Sequence, residues 1–495
     1  MSLLGATAGL WMLLSLGLLI ALTGLPVWAL LIGVASAFAA IGLVVGSIDL
    51  SILVALPMRM VGLLEHDLLQ ALPLYVFVGV LLQHLTVADH LFSNCERLLR
   101  RSGAGASLSA LSVGALIAPM NGSVASSSAL LARLVAPRLG RMKTADATAL
   151  ISVVATIGVV VPPSLVLILL GDAMLRAHTE ASNLPGFVLG NQRIVNTQDV
   201  FNAALLPALA VLLLWAFVAC WRGRAVPQER DAAAPLHASA KQPLLSLLVV
   251  LTIVALLGSV FAGKLYAVEA AATGCMLLLI GALATRALSV VQWRLVLGDT
   301  LALTGALFAL LVGATTFSLI FRLMGTDRWI AELLLNSALS PRMTAALVLL
   351  AVALCAWVLD AFEMIFVVIP IVAPPLIAML GDAQQAAVLL LLVLQLSFLI
   401  PPMGYAVLIA RARAGLGAVA IGALLRALLP FVAVQCVVTV LVFVAPWTVH
   451  RLDAVITPAA QSSPLSEQDL DQQMRDMAGQ GDAVPGPSGP SEMAK

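Results

Sequence analysis

Ala118-Pro-Met-Asn-Gly-Ser-Val-Ala-Ser-Ser-Ser128 interrupts a long apolar region with a proline, a glycine, an asparagine and four serines. Irregular polar backbone survives in hydrocarbon only where it is buried in protein or lines a cavity. A hydrophobic segment interrupted by Gly or Pro also points to the binding site of a transporter. The alternative is a serine-rich helix packed closely on a neighbour, because small residues favour close helix contact in membranes. The stretch alone leaves both interpretations open.

The composition is that of an integral membrane protein. Of 495 residues, 61% are hydrophobic and 10% are charged, whereas soluble domains are about 25% charged. The net charge of +1 gives no support for a nucleic-acid partner. The five cysteines are isolated and are expected to act as small apolar packing residues. The first apolar run has no basic segment before it, which favours a spanning helix over a cleavable leader.

Apolar runs of roughly 20 residues can cross about 30 Å of hydrocarbon, and the sequence predicts ten of them. Two further apolar regions, 104–138 and 343–379, are broken near the middle and are predicted to be re-entrant hairpins. Residues 48–66 and 87–101 are predicted to lie along the membrane interface as amphipathic arms. The ten predicted spans are 6–25, 27–47, 69–88, 145–170, 199–220, 243–262, 265–286, 299–321, 384–409 and 420–446.

Charges support the first hairpin. Cytoplasmic loops are enriched in Lys and Arg, and basic clusters at 97–101 and 138–143 flank the first broken region. Both its ends are therefore predicted to be cytoplasmic, as a hairpin requires. The basic stretch 223–242 is predicted to be a cytoplasmic linker, and ten crossings would place both termini outside. The tail at 457–495 is rich in Pro, Gly, Ser, Gln and Asp and is predicted to be disordered.

The chain contains an internal repeat. Leu-Val-Ala-Pro-Arg-Leu at 134–139 reappears as Ile-Val-Ala-Pro-Pro-Leu at 371–376, with a proline offset of 374 − 137 = 237. The Pro-Pro pair at 162–163 reappears at 401–402, with an offset of 401 − 162 = 239. Five predicted crossings separate the copies, so the second copy is inverted relative to the first. Inverted-topology repeats are typical of secondary transporters, whose binding sites lie near the bilayer midplane.

This repeat divides the chain into a first repeat at 1–222 and a second at 243–450. In each, a Pro-Pro pair is expected to unwind one helix, 145–170 or 384–409, because proline removes a backbone donor and clashes with the preceding turn. Carbonyls freed in this way coordinate Na⁺ in transporters, and half-helix N-termini favour anionic groups. The alternative is a simple kink in a packed helix.

At these residues the chain resembles the large membrane subunit (DctM-like) of the tripartite ATP-independent periplasmic (TRAP) transporters. The similarity covers roughly residues 1–450. It rests on motifs at Leu72–Gly79, Asn121–Ser126, Ala155–Ser164, Leu359–Asp360 and Ile400–Gly404. The resemblance implies an elevator-type importer of carboxylate-bearing solutes, driven by Na⁺, in the bacterial inner membrane. It also implies two partners, a small membrane subunit of about four helices and a periplasmic substrate-binding protein.

An anionic solute is expected to meet hairpin-tip N–H groups. The predicted substrate-binding residues are Asn121, Gly122, Ser123, Ser126 and Thr156, although a helical Thr equally well bonds back to its own helix. No cofactor is expected beyond the coupling ion. The cation ligands that the resemblance implies are Ser123, Gly158, Val160 and Pro163 in the first repeat, and Asp360, Pro402 and Gly404 in the second.

Ile400 departs from the family pattern. It stands where the family has Thr and has no side-chain oxygen, which puts the second cation site in doubt. Asp360 and Glu363 could each ligate a cation or carry a proton, because intramembrane carboxylates are functional candidates. The coupling ion is therefore expected to be Na⁺, with H⁺ as the alternative.

Three other functions remain open. A stand-alone cation- or proton-coupled carrier or antiporter of organic anions would need no binding protein. A passive channel would never exceed electrochemical equilibrium. An enzyme is disfavoured, since the sequence shows no nucleophile–base pair and no metal-ligand spacing. The sequence has no Walker motif, so ATP binding by this chain is not expected to provide the energy for transport.

Overall fold

Regular secondary structure is helical throughout the part of the chain that the structure describes, as predicted. This computed structural model describes residues 3–54, 56–64, 67–99, 104–118, 124–139, 142–162, 164–184, 195–223, 242–357, 359–401, 404–413 and 419–452. The predicted linker at 223–242 falls almost entirely outside these ranges, and the predicted tail at 457–495 falls wholly outside them.

The first half runs through two long helices, two short ones, a bent pair, a hairpin and a broken helix before its last helix. A 3-10 turn follows the hairpin at Ala136–Leu139. The helices are α1 (Leu3–Thr23), α2 (Val27–Val45), α3 (Leu50–Val54), α4 (Leu56–Leu64), α5 (Asp67–His84), α6 (Val87–Leu99), α7 (Gly105–Ile117), α8 (Val124–Val135), α9 (Thr144–Ala155), α10 (Ile157–Val160), α11 (Leu165–Ala181) and α12 (Thr197–Gly223).

The second half follows the same order, except that one long helix at Val290–Leu323 stands where the first half has α3, α4 and α5. A π-helical segment at Met364–Val368 interrupts the return arm of its hairpin. The helices are α13 (Gln242–Phe261), α14 (Ala267–Ala284), α15 (Val290–Leu323), α16 (Thr326–Leu335), α17 (Pro341–Ala356), α18 (Ala361–Glu363), α19 (Ile369–Leu380), α20 (Ala383–Ser397), α21 (Tyr405–Arg413), α22 (Ile421–Val444) and α23 (Trp447–His450).

The repeat extends to turns in which the sequence shows no shared motif. Gly24 follows α1 with φ +61°, and Gly263 follows α13 with φ +65°, an offset of 263 − 24 = 239. Gly46 ends α2 with φ +75°, and Arg286 follows α14 with φ +49°, an offset of 286 − 46 = 240. The first offset equals that of the Pro-Pro pairs and the second differs from it by one residue, so the two halves match in the backbone geometry of these turns.

The helices divide into two groups. Outside the hairpins, α2 packs along α15, and α5 packs on α14 and α15; we call these four helices the frame. The core contains both hairpins and both broken helices. There α8 packs on α21, and α11 packs on α19. Each hairpin's return arm therefore lies against the broken helix of the other half, and the two repeats interlock.

Local sequence signals start several of these helices. A Ser or Asp at the N-cap accepts a hydrogen bond from a free backbone N–H of the first turn, which stabilises the helix by about 1 kcal/mol. Proline suits the first helical position, as Pro341 does in α17. The residues that cap in this way are Ser164 for α11, Ser289 for α15, Ser340 for α17 and Asp382 for α20.

Within the described residues, five helices are long and apolar enough to cross a membrane, and up to seven if each bent pair is one span. The five are α2, α12, α15, α22 and the continuous stretch Ala361–Leu380. The bent pairs are α5 with α6, at 68°, and α9–α10 with α11, at 42°. The other predicted spans correspond to shorter apolar helices, so the count of ten stays a prediction.

The two hairpins have the contact that a hairpin requires. The arms α7 and α8 pack on each other, and so do α17 and α19. By length alone, Ala361–Leu380 could cross a membrane, whereas the sequence predicts it as one arm of a re-entrant hairpin. The packing of its partner arm α17 against α19 is consistent with the hairpin.

Candidate functional site

The first helix break lies between α9 and α11. The backbone turns at Thr156, resumes one helical turn as α10, and becomes extended at Val161, with φ −79° and ψ 116°. Ser164 then caps α11 by accepting from the Leu167 N–H at 3.2 Å. Because Pro162 and Pro163 have no N–H, the carbonyls of residues 158 and 159 lack their usual helical donors. The predicted break is present, and it frees backbone oxygens in a buried position.

The first hairpin ends against this break. A Cβ atom at Gly158 would overlap the carbonyl of Ala118, which is the last described residue before the hairpin tip. Gly158 therefore allows a closer approach than any other residue would. Val160 is buried on the same turn. The structure thus brings the outgoing arm of the first hairpin to the turn that contains Gly158, and the cation site itself stays a prediction.

The second break lies between α20 and α21. The Gly404 N–H donates to the Ile400 carbonyl at 2.9 Å. A Cβ atom at Gly404 would lie 2.7 Å from the Phe398 carbonyl oxygen and 2.8 Å from that of Ile400. Backbone oxygens therefore converge on Gly404, and no side chain fits there. Pro401 and Pro402 cannot donate to the carbonyls of residues 397 and 398, and the Ser397 carbonyl accepts the Ile400 N–H at 3.3 Å instead.

The sequence model of the tripartite ATP-independent periplasmic transporter, DctM component, matches residues 13–448 of this chain. The chain belongs to the DctM family. It is a multi-pass protein of the inner membrane, as predicted. The sialic acid TRAP transporter large permease protein SiaM of Vibrio cholerae is 24% identical over 394 residues, which cover 78% of this chain and 86% of that protein.

A solved structure supports the fold. The crystal structure of the YdaH transporter of Alcanivorax borkumensis, which has an unusual topology, matches with a TM-score of 0.57 and 13% identity. The match covers 90% of this chain and 99% of that one. At this identity the likeness concerns the fold alone.

Several predicted site residues of this DctM permease lie outside the described residues, namely Asn121, Gly122, Ser123, Pro163 and Pro402. Ser126, in the first turn of α8, is partly buried. Thr156 is fully buried, and its hydroxyl donates to the Val153 carbonyl at 2.8 Å. This is a hydrogen bond to a carbonyl of its own helix, which is the alternative to substrate binding given above. A role for the Thr156 side chain in substrate binding stays a prediction.

Two serines that the sequence analysis did not single out stand next to the hairpin tip. Ser127 and Ser128 are 1% and 0% exposed, and neither hydroxyl has a hydrogen-bond partner among the described residues. Ser127 also lines a narrow, mostly apolar cleft between α7 and α8. An unsatisfied buried hydroxyl is costly. Both serines belong to the polar stretch 118–128 that the sequence analysis starts from. The sequence alone could not show which serines of this stretch face the protein interior.

Asp360 begins the return arm of the second hairpin. It forms a reciprocal cap with Glu363, in which the Asp360 N–H donates to Glu363 Oε2 at 3.1 Å. Asp360 Oδ1 is a buried atom with no hydrogen-bond partner in the part of the chain that the structure describes. The π-helical segment starts at Met364, immediately after this cap, and π-bulges often mark functional sites. Asp360 thus keeps one oxygen available for a ligand.

Trp357 distinguishes the two breaks. Its indole N–H donates to the Ile400 carbonyl at 2.8 Å. With the Gly404 N–H, this gives the Ile400 oxygen two donors, one for each lone pair. The carbonyl of Ile400 is therefore occupied by two protein donors, which makes it a poor cation ligand.

The sequence analysis missed a link between the breaks. Gln395 Nε2 donates to the Thr156 carbonyl at 3.3 Å, and Gln435 Nε2 donates to Gln395 Oε1 at 2.8 Å. These side chains are 1% and 0% exposed. A buried side-chain amide is expected to be hydrogen-bonded, because leaving it unpaired costs free energy. A glutamine in an otherwise apolar stretch such as Leu389–Phe398 was the available signal.

Proposed function

We propose that this chain is the large permease subunit of a TRAP-type secondary transporter. It imports a small organic acid delivered by a periplasmic binding protein, and a Na⁺ gradient drives the cycle through an elevator motion. The observation that carries the proposal is the pair of Pro-Pro breaks, each of which frees backbone carbonyls in the core. Freed carbonyls of broken helices coordinate the coupling ion in secondary transporters.

The first break fits a cation best. Its freed carbonyls, at Gly158 and Val159, are uncharged oxygen donors in a buried turn, and Ala118 of the outgoing hairpin arm lies against Gly158. The second break offers a different donor set, because Ile400 lacks a side-chain oxygen and its carbonyl is engaged by Trp357. Asp360 would then supply the donor atom there. This difference supports one Na⁺ at the first break and leaves the second to Na⁺ or H⁺.

The N-termini of the half-helices favour the binding of an anionic substrate. α11 and α21 both begin at a break, and their N-termini carry partial positive charge. A carboxylate between the hairpin tips would be stabilised by these ends and by tip N–H groups such as those of Gly122 and Ser123. SiaM is named for sialic acid, which is a carboxylate, and this supports the class of solute proposed here. The individual solute is set by the binding protein.

The interlocked core supports the elevator motion. Because α8 packs on α21 and α11 packs on α19, the hairpins and broken helices form a unit that can move as one body. The frame helices α2, α5, α14 and α15 pack mainly among themselves. TRAP large permeases normally work with a small membrane subunit and a periplasmic binding protein, and the same partners are proposed for this chain.

The test is reconstitution. The chain is purified gently from its native membrane, bound proteins are identified by mass spectrometry, and the complex is placed in liposomes with candidate binding proteins and radiolabelled carboxylates. We expect a stoichiometric small membrane subunit, and solute accumulation above equilibrium only with an inward Na⁺ gradient. Replacing Ser123 or Asp360 with Leu should abolish accumulation while thermal unfolding stays cooperative.

Other outcomes would identify the alternatives. Accumulation by the chain alone, without binding protein, would favour a stand-alone carrier. Accumulation that follows a proton gradient and ignores Na⁺ would assign H⁺ as the coupling ion. Flux that never exceeds equilibrium would overturn the proposal in favour of a channel.

A further inference from the structure

Gln395 and Thr156 occupy the same position in the two repeats. Their offset is 395 − 156 = 239, which equals that of Pro162 and Pro401. The hydrogen bond from Gln395 Nε2 to the Thr156 carbonyl therefore joins two equivalent points, as expected only near the pseudo-symmetry axis that relates the halves. Both residues are essentially inaccessible, at 1% and 0% exposure. The two breaks meet at this contact.

Gln435 fixes the direction of the Gln395 amide. Gln435 Nε2 donates to Gln395 Oε1 at 2.8 Å and to the Leu392 carbonyl at 3.3 Å. Because the Gln395 oxygen is engaged as an acceptor, its NH₂ group must face the Thr156 carbonyl. A flipped amide would set two oxygens against each other. The contact is thus a directed bond held by a third helix, α22.

Each end of the bond lies next to freed carbonyls. Thr156 precedes Gly158 by two residues, and Gln395 precedes Ser397 by two residues. Gly158 and Ser397 are the positions whose helical donors are removed by Pro162 and Pro401. The Thr156 carbonyl also accepts the Val159 N–H at 3.0 Å, so it belongs to the same turn as the first cation site. The Gln395 side chain therefore forms a direct hydrogen-bonded connection between the two breaks.

We propose that Gln395 is a positioning residue that couples the two breaks, so that a cation bound at the first increases cation affinity at the second. This inference rests on the proposed Na⁺-driven function. Gln395 touches neither ion. It holds the turn of Thr156 against the helix that leads into the second break, and ordering of one turn then reduces the cost of ordering the other. By linkage the effect is reciprocal, and couplings of this kind change affinities about 5-fold to 150-fold.

The test uses Gln395→Leu and the shorter amide Gln395→Asn in the full transporter complex. Uptake is measured against Na⁺ concentration, and Na⁺-induced thermal stabilisation of the purified complex gives a readout independent of transport. We expect a wild-type Hill coefficient above 1 that falls to about 1 in Gln395→Leu, with a half-saturating Na⁺ concentration raised about 5-fold. The maximal rate at saturating Na⁺ should stay within about two-fold of wild type, and Gln395→Asn should fall between the two.

Gln385→Leu is the matched control. Gln385 stands in the same helix, is also buried, and donates to the Val442 and Phe443 carbonyls at 2.9 and 3.0 Å, away from both breaks. It should lower the unfolding temperature and leave the Hill coefficient unchanged. Gln435→Leu should partly reproduce Gln395→Leu, and it tests the coupling even if Gln395→Leu fails to fold.

Two results would distinguish a failure of the proposed function from a failure of the proposed coupling. If wild-type uptake ignores Na⁺, the proposed function fails and the coupling fails with it. If uptake depends on Na⁺ but the Gln395 and Gln435 variants keep the wild-type Hill coefficient, or if the wild-type coefficient is already 1, the function stands and the coupling is overturned.

Discussion

The indole N–H of Trp357, at the end of the outgoing arm of the second hairpin, donates to the carbonyl of Ile400 in the second break at 2.8 Å. No side chain in the described part of the first hairpin makes a matching bond to the first break. The two copies of the repeat therefore differ in how their hairpins are held in place, and the carbonyl that Trp357 engages belongs to Ile400, a residue with no side-chain oxygen.

Trp357→Phe removes the indole donor and keeps an aromatic ring. The loss of one partly exposed hydrogen bond should cost about 1 kcal/mol and lower the unfolding temperature of the detergent-purified permease by a few degrees. Uptake should slow because the hairpin tip is less firmly placed. Trp11→Phe, on the exposed part of α1, is the comparison variant. Equal rates and unfolding temperatures in Trp357→Phe and wild type would show that the bond contributes nothing.

Gly158→Ala should impair the first break. The added methyl group would overlap the Ala118 carbonyl, and overpacking of this kind typically costs about 1–3 kcal/mol. We expect lower thermal stability and a large loss of Na⁺-driven uptake. Gly33→Ala is the control, because a Cβ atom at Gly33 in α2 meets nothing within 4 Å. Normal uptake by Gly158→Ala would mean that the hairpin does not need to approach this turn closely.

Arg222 of α12 joins its own helix to α9 and α22. Its guanidinium donates to Asp146 Oδ1 of α9 at 2.8 Å and to the Ala427 carbonyl of α22 at 2.5 Å. Arg222→Ala removes both bonds and should reduce the free energy of unfolding by roughly 1–3 kcal/mol, measured by thermal or denaturant unfolding in detergent. The control is Arg426→Ala, since Arg426 donates to Gly422 of its own helix and is exposed. Similar losses in both variants would contradict a specific role for Arg222.

Glu180 and Arg322 form an ion pair between the core and the frame, because Glu180 belongs to α11 and Arg322 to α15. Both side chains are about one-third exposed, at 34% and 35%, so the pair is worth only about 0–1 kcal/mol of stability. Its effect should be larger on transport than on stability, since it joins parts that move relative to each other in the proposed cycle. We expect Glu180→Arg and Arg322→Glu to change the uptake rate singly and the double exchange to restore it. Additive effects in the double variant would exclude a direct pairing.

The breaks could be predicted from sequence because their cause is local. A Pro-Pro pair removes two consecutive backbone donors wherever it stands, and the repeat of Pro162 at Pro401 needed only a comparison of the chain with itself. Hairpin packing and the all-helical fold followed from apolar runs interrupted at their middle. These features depend on residues close together in the chain.

Helix boundaries were harder to predict from the sequence. The predicted span at 299–321 is too short, because α15 runs from Val290 to Leu323. The predicted span begins at Asp299 because the apolar run begins there. The helical backbone nevertheless starts earlier, since a helix tolerates charged residues that face outward. The true start has a local signature, the reciprocal cap of Ser289 and Gln292. A search for capping residues would have found it.

The bonds of Gln395 and Trp357 could not be predicted from sequence. Each depends on a pairing between segments 239 or 43 residues apart, and neither glutamine nor tryptophan has a local pattern that specifies its partner. Arg286 presents the same limit in the backbone, because nothing in its neighbours requires the positive φ that the structure shows. Tertiary packing determines these features.

The interlocked packing of α8 on α21 also has a consequence for biogenesis. Synthesis at about 5–20 residues per second puts on the order of ten seconds or more between the emergence of Val135 and that of Tyr405. During this interval the first hairpin is already made while its packing partner is still inside the ribosome or not yet translated. The first half must therefore wait in the insertion machinery or in lipid with an incomplete surface. Neither half expressed by itself can close the core, whereas two halves expressed as separate polypeptides have the complementary surfaces needed to assemble.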